Sequence, residues 1–184
     1  MNEIEDHPFE PFIPENASSL IVGSFPGMEQ VTNKHNREEW FYGAADNLFW
    51  PILSEAFETA LKTRIQKEAF LTTRGIAITD IFTKVRRKEK SNLDKYLTEM
   101  EYNKEIKSLI EKFRISRLFF TSKFVENHFL REFPQITFGV CLPSPSPAAN
   151  IPISISNDYR TYKQGNPNGN TQTFRIFKYR QLLS

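Results

Sequence analysis

A few residues of this 184-residue chain carry side chains whose type and spacing could do chemistry. Leu142, Pro143, Ser144, Pro145, Ser146 and Pro147 form a proline-stiffened run. The hydroxyls of Ser144 and Ser146, with the amides beside them, could grip phosphates as a rigid wedge, and a plain proline-rich turn explains the same residues. Gly23, Ser24, Phe25, Pro26 and Gly27 form a second small-residue loop. Asn47 precedes an apolar periodic segment, where an amide side chain caps a helix, and Pro51 is tolerated in the first turn of such a helix. Asp80 closes an apolar run, and its carboxylate could either serve a ligand or cap a helix. Lys123 is the best-placed cation for a phosphate, whereas the basic run Lys84 to Lys90 (KVRRKEK) reads as a solvated loop. His7, His35 and His128 have no metal-ligand spacing and read as surface or packing residues. The only cysteine, Cys141, excludes an intrachain disulfide and a multi-cysteine zinc site.

The elements that must position these residues follow from alternation. Short apolar runs at Leu20 to Val22, Ile76 to Ile81, Arg117 to Phe120 and Ile136 to Leu142 read as buried strands. Between them lie three helical stripes: Phe49 through Leu61, Tyr102 through Phe113, and Phe124 through Phe133 behind a cap at Ser122. The order β-α-β-α-β-α-β predicts an α/β fold, a three-layer α/β/α sandwich around a four-stranded, mainly parallel sheet. Helical crossovers return each strand in the same direction, so all four strand ends share one edge, the edge at which open α/β sheets bind ligands. The loops leaving those ends are the ones that hold Ser24, Asp80, Lys123 and Ser144. Beyond a turn-rich stretch at 164 to 170, the segment TFRIFKYRQLLS is expected to be a last helix.

Composition sets the frame. Hydrophobic residues make up 39% and aromatics 14% with 17 Phe, enough for a packed core, and 184 residues suit one domain. A formal net charge of +2 neither demands nor excludes a nucleic-acid partner. The acidic, proline-broken opening MNEIEDHPFEPF is unlike a signal peptide, and no apolar stretch reaches membrane-spanning length, so a cytoplasmic protein without a membrane partner is expected.

Taken together, the GSFPG loop, the segment Phe41 to Trp50 (FYGAADNLFW) and the run Leu142 to Ala149 (LPSPSPAA) resemble the uracil-DNA glycosylase superfamily. The likeness is strongest to its mismatch-specific and hypoxanthine-DNA branches, and it covers residues 20 to 150 but not 151 to 172. It implies DNA as partner, a monomer, no metal or organic cofactor, and hydrolysis of the N-glycosidic bond of a deaminated base, hypoxanthine or uracil, in base excision repair. It places Tyr42 where an aromatic ring stacks on a flipped base, with Phe25, Ser24 and the amides of Gly23 to Gly27 walling the pocket. Asn47 matches the Asn of an N-x-F-W segment that orients the attacking water, which an amide can do by accepting and donating at once. Asp80 would bind a base edge or assist the water. Gly27, Lys123, Ser144 and Ser146 would hold the DNA backbone. The chain departs from the pattern at Phe25, where the mismatch-specific branch has an Asn, and at Leu142, where several branches have a His. The proline usual before the Asn is absent from GAADN. A relative that binds a nucleotide or damaged DNA without turnover is the alternative.

Overall fold

The computed structural model describes residues 3–33 and 39–184; His35 lies outside them. In chain order the elements are β1 (Ile4–Asp6), β2 (Ser19–Gly23), α1 (Met28–Thr32), α2 (Phe49–Ala56), α3 (Arg64–Thr73), β3 (Ile76–Asp80), β4 (Phe82–Arg87), β5 (Leu97–Tyr102), α4 (Glu105–Lys112), β6 (Arg117–Phe120), α5 (Lys123–Glu132), β7 (Val140–Cys141), α6 (Asn150–Ser154), α7 (Asn157–Gly165) and α8 (Thr171–Leu183).

Four strands form one sheet in the order β3-β2-β6-β7, every neighbouring pair parallel. β2 and β3 are buried along their whole length, as strands covered on both faces require. Leu20 and Val22 face a core shared with Ile106 and Ile110 of α4 and Val125 and Phe129 of α5. Ile21 faces the opposite core, built with Phe49, Ile52 and Leu53 of α2, Leu71 of α3 and Tyr179 of α8. Opposite pleats of one strand thus feed two hydrophobic layers, which makes the fold a three-layer α/β/α sandwich.

The helices begin where local chemistry directs. The Ser122 hydroxyl accepts from Val125 N at 3.3 Å to start α5, and Asn170 starts α8, confirming the expected last helix, by accepting from Gln172 N and Thr173 N. The first apolar stripe is shortened: α2 ends at Ala56, residues 57–61 are not helical, and beyond them α3, which was not expected, starts from a capping box between Thr63 and Gln66. The second stripe is divided too, because Tyr102 ends β5 and Asn103 intervenes before α4. Ile136 to Leu142 contributes only the two residues of β7.

A second sheet, of antiparallel order β1-β4-β5, was not expected. It absorbs half of the basic run, and so corrects the reading of Lys84 to Lys90 as a solvated loop. Lys84 lies 3.7 Å from Asp6 and 3.9 Å from Glu101, Arg86 pairs with Glu99 and Arg87 with Glu5, each at 2.9 Å. These cations are taken up by acidic partners within the sheet.

Candidate active site

The parallel strands end in register. Gly23 stands beside Asp80 across the β2-β3 pair, and the bond from Ile81 N to Gly23 O, 2.8 Å, holds the two ends level. A Cβ at Gly23 would lie 2.2 Å from both Asp80 Oδ1 and the Tyr42 hydroxyl. The absence of a side chain there is what lets a carboxylate and a phenol converge at the strand end. Tyr42 itself sits in the left-handed region at φ 56, donates to Thr121 Oγ1 at 3.2 Å, and stacks on Phe49 with ring centroids 4.1 Å apart. Burial, followed by the charge of Asp80, raises its pKa well above the ordinary phenol value, so it remains a neutral donor.

Asp80 is almost fully buried and has a partner that the sequence conceals: His7 Nε2 lies 2.9 Å from Asp80 Oδ2. The other ring nitrogen of His7 lies 2.8 Å from Phe9 O and 3.1 Å from Phe9 N, so either protonation state of the ring finds a partner. Phe9, Phe25 and Phe41 surround the imidazole, with centroids 5.4 to 5.9 Å away. Behind the carboxylate, the buried amide of Asn103 donates to Asp80 O at 3.2 Å and to Thr79 Oγ1 at 3.3 Å. The reading of His7 as only a surface or packing residue is thus corrected: it packs among aromatic rings and also holds the Asp80 carboxylate.

Asn47 is half-buried, and its Oδ1 accepts from Phe49 N at 2.9 Å, the local bond of a residue that opens a helix. Leu48 N donates to Pro145 O at 3.1 Å, tying this segment to the proline-rich loop. That loop is held from beneath by α8. The guanidinium of the buried Arg175 donates to Ser144 O at 2.7 Å, Ser146 O at 3.1 Å and Asn150 Oδ1 at 2.8 Å, and Tyr179 donates to Pro143 O at 3.2 Å. Leu142 is buried in the core beside Phe49 and Tyr179. Lys123 is exposed and lies 2.5 Å from Glu126.

All of these strand-end loops open on one cleft of about 1110 Å³. Ser24, Phe25, Gly27, Tyr42, Asn47, Asp80, Lys123, Ser144 and Ser146, the nine residues singled out in the sequence, all line it. Asn47 and Ser144 lie at the same end of the sheet, as parallel connectivity requires. The cleft also takes in Ser91 to Lys95, from the connection between β4 and β5. Among them Asp94 opens a short 3₁₀ turn, and it lines the cleft together with Ser24. Burial raises the pKa of Asp94, and the nearby charge of Asp80 adds to the rise, against the opposing effects of the Ser24 hydrogen bond and of Arg87. Sequence reasoning missed Asp94 and Arg175. Asp94 has no local signature, and Arg175 sits in a helix whose Arg and Lys residues look alike. Among the described residues no group of three or more His, Cys, Asp or Glu is arranged to hold a metal ion, and no helix is long and apolar enough to cross a membrane.

The family model of the uracil DNA glycosylase superfamily matches residues 10–162. Among solved structures, a solution NMR structure of a protein from Methanosarcina acetivorans, described as a candidate uracil DNA glycosylase, has the same fold with a TM-score of 0.64. It is 21% identical, and the match covers 94% of this chain and 98% of that one. No curated protein matches in sequence.

Proposed function

The chain belongs to the uracil DNA glycosylase superfamily, and from that premise we propose that it is a monofunctional DNA glycosylase that hydrolyses the N-glycosidic bond of hypoxanthine or uracil in DNA. The observation that carries the proposal is the single cleft in which Tyr42, Asn47, Asp80 and the Ser144–Ser146 loop meet. A glycosylase must extract a base, hold it, and expel it as an anion while water attacks the sugar. In this reading the base lies against Tyr42 and Phe25, and Ser144, Ser146, Gly27 and Lys123 hold the flanking phosphates. Lys123 exchanges Glu126 for the phosphate. Arg175 and Tyr179 keep the proline-rich loop rigid, so gripping the strand costs little ordering.

Asn47 orients the water. A carbonyl oxygen has two lone pairs, so Oδ1 can accept from Phe49 N and from a water at once. Capping and catalysis are then two uses of one amide. Asp80, fixed by His7, receives the proton that the water releases as its oxygen bonds to the sugar carbon. The glycosidic electron pair leaves with the base. The apolar Leu142 gives that leaving group no charge, and the amides of Gly23 to Gly27 stabilise it instead. Leu142 and Phe25 also support a second reading, a relative that binds damaged DNA without turnover.

Oligonucleotides carrying uracil, hypoxanthine or xanthine, incubated with the protein and then treated with alkali, separate the two readings. Strand breaks at hypoxanthine or uracil are expected. Binding without breaks would favour the second reading, and release of 3-methyladenine alone would sink the deaminated-base assignment.

A further inference from the structure

We infer that Asp94 is a specificity-determining residue of this cleft: its carboxylate accepts a hydrogen bond from the ring N–H that deamination creates on a base. The inference rests on the glycosylase reading and names what selects the substrate.

Three observations converge. First, Asp94 lines the same cleft as Ser24, Tyr42 and Asn47. Second, its acceptor capacity is largely unused. A carboxylate offers about four lone-pair sites, and the Ser24 hydroxyl is the neighbouring donor whose influence lowers its pKa. Asp94 enters no ion pair among the described residues: Lys84, Arg86 and Lys123 have other carboxylates, and the guanidinium of Arg87 bonds Glu5, Ser91 O and Pro26 O. Third, the buried acid of the cleft, Asp80, is already engaged, since it meets His7 on one oxygen and crowds Gly23 with the other.

The chemistry of the bases then decides what such a group reads. Adenine N1 and cytosine N3 are acceptors. Deamination to hypoxanthine or uracil turns each into an N–H donor. An ionised carboxylate can only accept, so it bonds the deaminated base and repels the lone pair of its amino-bearing parent. It does not by itself exclude thymine or guanine, which carry the same N–H. The burial that raises the pKa of Asp94 favours its protonated form, and that form would donate to adenine instead. The groups whose charge or hydroxyl acts on it or on which its charge acts are Asp80 from β3, Arg87 from β4, Ser24 from the loop after β2 and Tyr42 from the loop before α2.

The test pairs single-turnover excision from hypoxanthine duplexes with binding to duplexes carrying 2′-fluoro-2′-deoxyinosine or 2′-fluoro-2′-deoxyadenosine, whose glycosidic bonds resist cleavage. The change in the inosine-to-adenosine affinity ratio on substitution is the readout, because it cancels the different costs of unpairing the two bases. Asp94→Asn, whose amide can donate or accept, is expected to shrink that ratio about tenfold or more. Asp94→Ala should weaken inosine binding and, with the repulsion of the adenine lone pair removed, strengthen adenosine binding. If the parent excises hypoxanthine and both folded variants keep its ratio, Asp94 is not the reader and the glycosylase assignment stands. If the parent shows the preference and the variants lose it, but nothing is excised, the reader stands and hydrolysis is wrong. A parent that neither prefers inosine nor excises overturns both.

Discussion

The two sheets of this protein divide the work differently. The parallel sheet contributes its loops: Gly23 and Ser24, Asp80, Lys123, and the Ser144–Ser146 segment reach the cleft because parallel strands must end at one edge. The antiparallel sheet contributes individual side chains. His7 follows β1 and Asp94 lies between β4 and β5, so each enters the site through a contact that no backbone rule dictates. Topology brings the parallel-strand loops to one edge, and the antiparallel sheet adds single side chains to them.

That contrast can be broken most forcefully at Asn47, just before α2, a cleft residue outside the antiparallel sheet. Asn47→Ala is expected to slow single-turnover base release about 100-fold or more, since a misplaced water costs that much. It should also lose about 1 kcal/mol of stability with the bond to Phe49 N. Asn47→Asp retains the acceptor, so its stability should stay near that of the parent. A destabilised but folded Asn47→Ala protein that cleaves at the parent rate would reduce the residue to a helix cap.

Arg87 tests whether the two sheets depend on one another. Its guanidinium is nearly fully buried, bonds Glu5 of β1, and reaches the carbonyls of Ser91 and Pro26, the latter in the loop after β2. Arg87→Ala strips these groups of their common donor and should cost about 3 kcal/mol in urea unfolding. If the sheets are coupled as the contacts suggest, the loss appears in one cooperative transition. An early, separate transition would mean that the antiparallel sheet is an independent appendage.

The same difference explains what was legible in the sequence. β2, β3 and β6 are continuous apolar runs separated by helical periods, so order, parallel direction and common edge all follow. The antiparallel sheet is hidden by its irregularity. β4 buries Phe82, Val85 and Arg87, a spacing of three then two, and its pairing with β5 shifts register twice, so the alternation that marks a half-buried strand is lost. Glu99, with φ 47, marks the distortion on β5. Charge hid it further, since KVRRKEK looks solvated until Asp6, Glu5, Glu99 and Glu101 are found opposite. For the cleft, residue types were readable wherever a loop left a parallel strand. The His7–Asp80 contact was not, because it joins residues 73 positions apart with no periodic signal between them.

His7 offers a smaller test from the antiparallel side. His7→Ala leaves the buried Asp80 without its side-chain partner, a loss of about 1 to 3 kcal/mol in stability or in its equivalent in rate. His7→Gln, which can still donate to the carboxylate, should recover part of base release. Equal activity in the Ala and Gln variants would show that the aromatic cage, rather than the hydrogen bond, is what His7 serves.

The smallest expected effect is the pH dependence of stability at Asp94. Its folded-state pKa is raised above the ordinary value of 3.8, chiefly by burial. The folded protein therefore keeps this proton after the unfolded chain has begun to release it, and stability falls as pH rises through the interval between the two values. Above the folded value the loss is complete. Below 3.8 both states hold the proton and the loss is absent. Asp94→Asn cannot titrate, so its stability relative to the parent should increase as pH rises past the ordinary carboxylate value and level off above the folded-state value, whatever constant offset the substitution brings. Denaturant unfolding of the two proteins across that range measures the difference. A difference that stays flat would mean Asp94 is solvated like any surface acid, which would also remove the reason for a desolvated acceptor in the cleft. A rising difference would mark Asp94 as a group that weakens the fold at neutral pH, the cost expected of a side chain kept for what it binds.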